Sequence, residues 1–124
     1  EMMTALMWAS RYGHADVVAL LLGHEAIDVN QGGTNSGWTA LMWASYRGHA
    51  DVVALLLGHE DIDVNRANIY GWTALRFAIT YHNADVVNAI ATHPDARFPI
   101  AEVVVSYPEA VPVPPEPPEP PPGA

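Results

Sequence analysis

The 124-residue chain has no cysteine and no lysine. Without thiols it can form no disulfide and offers no thiol nucleophile, and its redox compartment is left open. Five arginines stand against fourteen Asp and Glu, for a formal net charge of −9. Surfaces that bind polyanions use cations to replace the counterions on phosphate, so this balance argues against nucleic acid and against anionic membranes. Apolar runs are short, far below the roughly 20 residues that a membrane span needs. No positively charged start followed by an apolar stretch and a small-residue cleavage site is visible. The absence of both signals points to the cytoplasm.

What the chain does contain is repetition. TALMWASRYGHADVVALLLGH runs from Thr4 to His24 and returns almost unchanged from Thr39 to His59. A degraded third copy, TALRFAITYHNADVVNAIATH, runs from Thr73 to His93. Self-similarity at a period in the thirties is the signature of a solenoid, in which each unit buries its apolar face only by stacking on the next. Each unit reads as two short helices. Thr4, Thr39 and Thr73 are placed to cap the first by accepting from backbone N–H groups two or three residues on. Gly13 and Gly48 suit the left-handed position that ends it. The second helix carries VVALLL at 17–22 and 52–57, too short to stand alone in water, and Gly23 and Gly58 end it. Polar stretches rich in Gly, Asn and Ser then lead to the next Thr as hairpins or turns.

These residues resemble the ankyrin repeat. The starts TALM, TALM and TALR, the Gly-His pairs at 13–14 and 48–49, and Asp-Val-Asn at 28–30 and 63–65 match the family's opening, turn and pre-hairpin signatures. Ala5, Ala40 and Ala74 replace the usual Pro, and Met7, Met42 and Arg76 the usual His, removing hydrogen bonds that tie the family's turns. The resemblance implies an all-α repeat solenoid: stacked helix-turn-helix units with short β-hairpin loops over residues 1–99, divided at about 1–33, 34–67 and 68–99. It also implies a non-enzymatic scaffold that binds protein through a concave face made of hairpin tips and first helices. Residue by residue, that face comprises Arg11 and Tyr12; Asn35, Ser36, Trp38, Tyr46 and Arg47; and Ile69, Tyr70, Trp72, Thr80 and Tyr81. The set is dense in Trp, Tyr and Arg, the types enriched at binding hot spots. Aromatics that merely pack across hairpins are the alternative. Asn30 and Asn65 read as turn asparagines bonding their own loops or, by the resemblance, as targets of an asparaginyl hydroxylase.

The third unit changes character, with Asn88, Ala89 and Ala91 where the second has Ala54, Leu55 and Leu57. More polar residues suit the last member of a stack. Residues 100–107 read as a strand or an extended cap. Nine of the eleven prolines follow residue 107, and residues 108–124 read as a polyproline II tail.

No constellation carries chemistry. Ser10, His14 and Asp16 superficially resemble a hydrolase set, but they recur as Ser45, His49 and Asp51 with no implied nucleophile–base geometry. His24-Glu25 and His59-Glu60 lack the spacing of a zinc helix, and Gly32-Gly33 is not followed by the Lys and helix of a phosphate loop. The expectation is therefore no catalytic residue, no metal and no cofactor. The partner is a protein or a proline-rich peptide, including the chain's own tail or a neighbouring copy. An alternative is head-to-tail self-assembly, because the first unit lacks a polar cap and is expected to show apolar surface at Met2, Met3 and Leu6. Leu20, Leu21, Leu22, Leu41, Val53, Leu56 and Leu75 are expected in the core.

Overall fold

A computed structural model describes residues 2–97 and contains six helices in three pairs. They are α1 (Ala5–Arg11), α2 (Ala15–Leu22), α3 (Ala40–Arg47), α4 (Ala50–Leu57), α5 (Ala74–Thr80) and α6 (Ala84–Ala91). The expected segments at 100–107 and 108–124 lie outside the described residues.

The first helix of each pair starts where a threonine can satisfy an orphan N–H group. Thr4, Thr39 and Thr73 have extended backbones, and each hydroxyl accepts from the amide three residues on, Met7, Met42 and Arg76, at 3.1–3.3 Å. In α1 the Met7 sulfur, 3.5 Å from the Thr4 amide, accepts in return. A thioether thus occupies the place of the polar partner of a capping box, as a weaker acceptor.

The turn between paired helices needs a left-handed residue. Gly13 and Gly48 take it, with φ of +73° and +75°. Their missing side chains also make room: a Cβ would lie 2.7 Å from the His49 ring at Gly13, and 2.8 Å from the Asn83 amide at Gly48. Those two neighbours tie consecutive units together. His49 Nε2 donates to the Arg11 carbonyl at 3.0 Å, and Asn83 Nδ2 donates to the Ser45 carbonyl at 2.8 Å. In the third unit the turn position is His82, left-handed at φ +59° without a glycine.

Helices pack in two layers. The first helices stack in the order α1, α3, α5, and the second in the order α2, α4, α6. The core between them holds Leu6, Leu41 and Leu75 from the first layer and Val18, Val53, Leu56 and Ile90 from the second, all buried. The leucine run of α2 behaves differently from expectation. Leu20 is 79% exposed and Leu21 and Leu22 are only partly buried, whereas Leu56, the equivalent of Leu21, is fully buried. The cause is position in the stack: α4 lies between two neighbours and α2 has one.

Loops after the second helices are pinned by asparagine. Asn30 Nδ2 donates to the Asp61 carbonyl at 2.7 Å while its Oδ1 accepts from the Asp63 amide at 2.7 Å. Asn65 repeats the clamp on the Asp95 carbonyl and the Arg97 amide, at 2.8 and 3.0 Å. Each side chain thus grips the following unit's loop rather than its own. The expected β-hairpins are reduced to tight turns. Among the described residues the only pairing is an isolated bridge between Ala67 and Thr73. The turn before it is closed by Gly33 N–H donating to the Trp38 carbonyl at 2.9 Å. The two tips join where the Ile69 amide donates to the Ser36 carbonyl at 3.1 Å.

Candidate binding surface

Equivalent positions of the repeat line up across the stack. Tyr12, Arg47 and Tyr81 share one position at the end of the first helix, and Arg11, Tyr46 and Thr80 share the one before it. Asn35 matches Ile69, Ser36 matches Tyr70, and Trp38 matches Trp72, along the tips. Burial divides the twelve expected contact residues. Tyr12, Asn35, Arg47, Ile69, Tyr70 and Tyr81 are exposed, and Tyr46 and Thr80 are partly buried. Arg11, Ser36, Trp38 and Trp72 are buried.

The buried four have structural partners. Trp38 lies between Trp43 and Phe77, with both ring centroids at 4.5 Å, and Tyr46 meets it edge-on at 5.4 Å. Trp72 continues the row 5.0 Å from Phe77. Such tilted and edge-to-face pairs contribute about 0.5–1.5 kcal/mol beyond area burial. The guanidinium of Arg11 sits 4.5 Å over the Trp43 ring, and that of Arg76 3.9 Å over Trp72. The Ser36 hydroxyl accepts from the Trp38 amide at 3.2 Å, fixing the tip. The tryptophans therefore form a spine beneath the surface. Tyr46 carries that spine outward, meeting Tyr81 edge-on at 4.8 Å and lying 5.5 Å from the Arg47 guanidinium.

Charge is partitioned as strongly as burial. Every carboxylate among the described residues lies on a second helix or in the loop that follows it: Asp16, Glu25, Asp28, then Asp51, Glu60, Asp61, Asp63, then Asp85 and Asp95. The first helices and tips have none and hold Arg11, Arg47, Arg66 and Arg76. Among the described residues, an acidic chain thus has first helices and tips that contribute no carboxylate. This partition was legible in the sequence, through the carboxylate-free intervals 29–50 and 64–84, but is invisible in the net charge.

Two further surfaces are apolar. A shallow groove of about 590 Å³ at the open side of the first unit is lined by Ala5, Trp8, Ala9, Tyr12, His14 and Val17. In it, Trp8 and Tyr12 stack at 5.3 Å with 13° between their planes. Leu6, expected on this end, is instead buried in its own unit; Met3 is partly buried and Met2 exposed. A second groove of about 440 Å³ runs between α2 and α4, past Ala19, Leu22, Ala54 and Leu55. No group of His, Asp and Glu among the described residues could hold a metal ion, and no described helix is long and apolar enough to cross a membrane.

Three helix pairs stacked in register, capped by threonine and clamped by asparagine, define a helical repeat protein of the solenoid class. A family model of ankyrin repeats in three copies matches residues 6–100. The chain belongs to the ankyrin repeat family, whose members generally serve as non-enzymatic protein–protein interaction modules. The human ASB11 ankyrin repeat domain is similar in structure, with a TM-score of 0.67 and 24% identity over 74% of this chain and 40% of that one. That likeness concerns the fold. No curated protein sequence matches significantly.

Proposed function

We propose that the chain is a binding scaffold that takes a protein segment along the band formed by Tyr12, Arg47 and Tyr81 with Ile69 and Tyr70. One observation carries this reading: large aromatic and apolar side chains are exposed along a band to which the described residues contribute no carboxylate, above an aromatic spine. Rigid, amphipathic tyrosines offer contact area at low entropic cost. A proline-rich segment bearing carboxylates fits the band, because extended polyproline helices dock on aromatic surfaces and the band's charge is positive. The chain's own residues 108–122 have that chemistry, supplied in cis or by a neighbouring copy.

The test is fluorescence anisotropy with a labelled peptide of residues 111–122 titrated against the full chain. Saturable binding that weakens at least tenfold in Arg47→Ala and Tyr81→Ala supports the proposal. Binding that ignores both substitutions, or none at millimolar protein, removes it.

Self-assembly of the chain is a second reading. It is supported by the first unit leaving exposed the side that the second unit has covered.

A further inference from the structure

Three histidines share one position of the repeat, just past the end of the second helix. His24, His59 and His93 make the same hydrogen bond there. Nδ1 of each accepts from the backbone amide two residues on, Ala26, Asp61 and Asp95, at 3.2, 3.1 and 3.1 Å. A backbone N–H only donates, so each ring carries its proton on Nε2 and a lone pair on Nδ1. His49 is the opposite case. Its Nε2 meets the Arg11 carbonyl at 3.0 Å, a bond that the imidazolium makes as well as the neutral ring.

Protonation therefore acts selectively. A second proton on Nδ1 of His24, His59 or His93 turns the acceptor into a donor facing a donor, and the bond is lost. Histidine is the side chain that ordinarily changes charge between about pH 5 and 8. The neutral ring holds the bond, so the bond's contribution is complete above that range and falls away as pH drops through it. The surrounding charge favours the change. Glu25, Asp28, Glu60, Asp61, Asp63 and Asp95 share these loops, against Arg66 and Arg97. Asp16, Asp51 and Asp85 lie in the first turns of α2, α4 and α6, at the far ends of the helices that lead to the histidines. Toward those helices His59 borders the groove past Leu22 and Leu55, where no carboxylate or arginine lines the wall. An imidazolium at His93 also has a second partner at hand, because the Asp95 carboxylate is 4.0 Å from Nδ1. Asp61 holds the same place after His59.

Two of the three bonds support a clamp between units. Asp61 gives its N–H to His59 and offers its carbonyl to Asn30. Asp95 gives its N–H to His93 and offers its carbonyl to Asn65. One residue is thus held from both sides, by the histidine of its own unit and the asparagine of the unit before. Ala26 has the histidine bond but, among the described residues, no asparagine clamp.

We propose that His59 and His93 form an acid-sensitive latch: protonation at Nδ1 frees the Asp61 and Asp95 amides, loosens the Asn30 and Asn65 clamps, and weakens the coupling between neighbouring units.

Urea denaturation of the full chain at about pH 7.5 and about pH 5.5, on either side of the ordinary histidine value, tests it. The unsubstituted chain is compared with the double variant His59→Asn/His93→Asn and the control His24→Asn. Asparagine places a carbonyl oxygen close to the position of Nδ1 and does not titrate. Between the two pH values the unsubstituted chain should lose about 1 M in urea midpoint, for the latch bonds and the clamps they support. The double variant should lose less than half as much, and the control more than half as much. No loss in the unsubstituted chain, a double variant that keeps more than half of the loss, or a control that keeps less than half overturns the latch. If the double variant does not fold, a nitrogen-15 NMR titration of the unsubstituted chain decides. The Asn30 and Asn65 side-chain amides should shift in step with the His59 and His93 rings; amides that stay fixed while the rings titrate overturn it.

Discussion

Units 1 and 2 are close to a controlled experiment carried out within one chain. ADVVALLL forms α2 and again α4, so local propensity, capping and periodicity are the same in both. Yet α4 buries Val52, Val53 and Leu56, and α2 buries only Val18. In a repeat array the stabilising term is largely the nearest-neighbour interface, and the two helices differ by one such interface. A leucine's contribution here is set by how many units flank it.

The comparison breaks most sharply at one leucine. Leu56→Ala should cost about 2–5 kcal/mol, the usual range for a truncated core leucine. Leu21→Ala, the same change one unit earlier, should cost less than half as much. Urea denaturation of both variants at low protein concentration measures the gap. Equal losses would mean that the exposed side of unit 1 is covered in solution.

Next in size are the asparagine clamps. Asn30→Ala and Asn65→Ala each remove two bonds between loops, and at about 1 kcal/mol net per bond each should cost about 2 kcal/mol. Here the two units should behave alike, because each clamp reaches toward a neighbour that is present. Thermal melts differing by many degrees between the two variants would contradict that symmetry.

Glycines sharpen the contrast in another direction. Gly48→Ala forces a left-handed alanine, at about 1–2 kcal/mol, and drives a methyl group toward Asn83. Gly58→Ala meets ordinary backbone at φ −77° with the nearest atom at 3.5 Å, so it should be neutral or stabilising by up to about 1 kcal/mol. Calorimetry showing the same sign for both would refute the backbone assignment.

The smallest effect is expected on the band. Ile69→Ser, at a residue 64% exposed, should change stability by no more than about 0.5 kcal/mol. A loss above 1 kcal/mol in urea titration would show that the tip is part of the core.

Much of this fold is written locally. The threonine caps, the Gly-His turns and the two-helix unit each follow from a few adjacent residues, and all appear where the sequence puts them. The burial of Trp38 and Trp72 was not legible in the same way. Being an aromatic next to a turn does not tell which side of the tip its ring takes; here Phe77, one unit along, supplies the surface against Trp38. The exposure of Leu20 was hidden because an apolar run carries no mark of how many neighbours flank it. The asparagine clamps escaped because their partners are backbone groups about one repeat away, and backbone groups leave no trace in side-chain identity. The Arg47–Tyr81 side of the band is an expectation from the family resemblance, carried over position by position, and not a reading of the residues themselves. The charge partition could have been found by noting where carboxylates are missing.

The clamps also give the stack a direction. Asn30 holds the loop of unit 2 and Asn65 the loop of unit 3, always from the earlier unit to the later. The residue in the equivalent place in unit 3 is Pro99, which has no amide side chain to extend the series. Every such bond spans 30 to 33 residues, so no contact of this kind has to wait for distant parts of the chain, and closure of each loop is rapid by the standards of topology. Under a mechanical load applied to the C-terminal end, the clamps would be strained in order, Asn65 before Asn30. The force–extension trace should then record stepwise peeling of one helix pair at a time, like stitches drawn from one end of a seam.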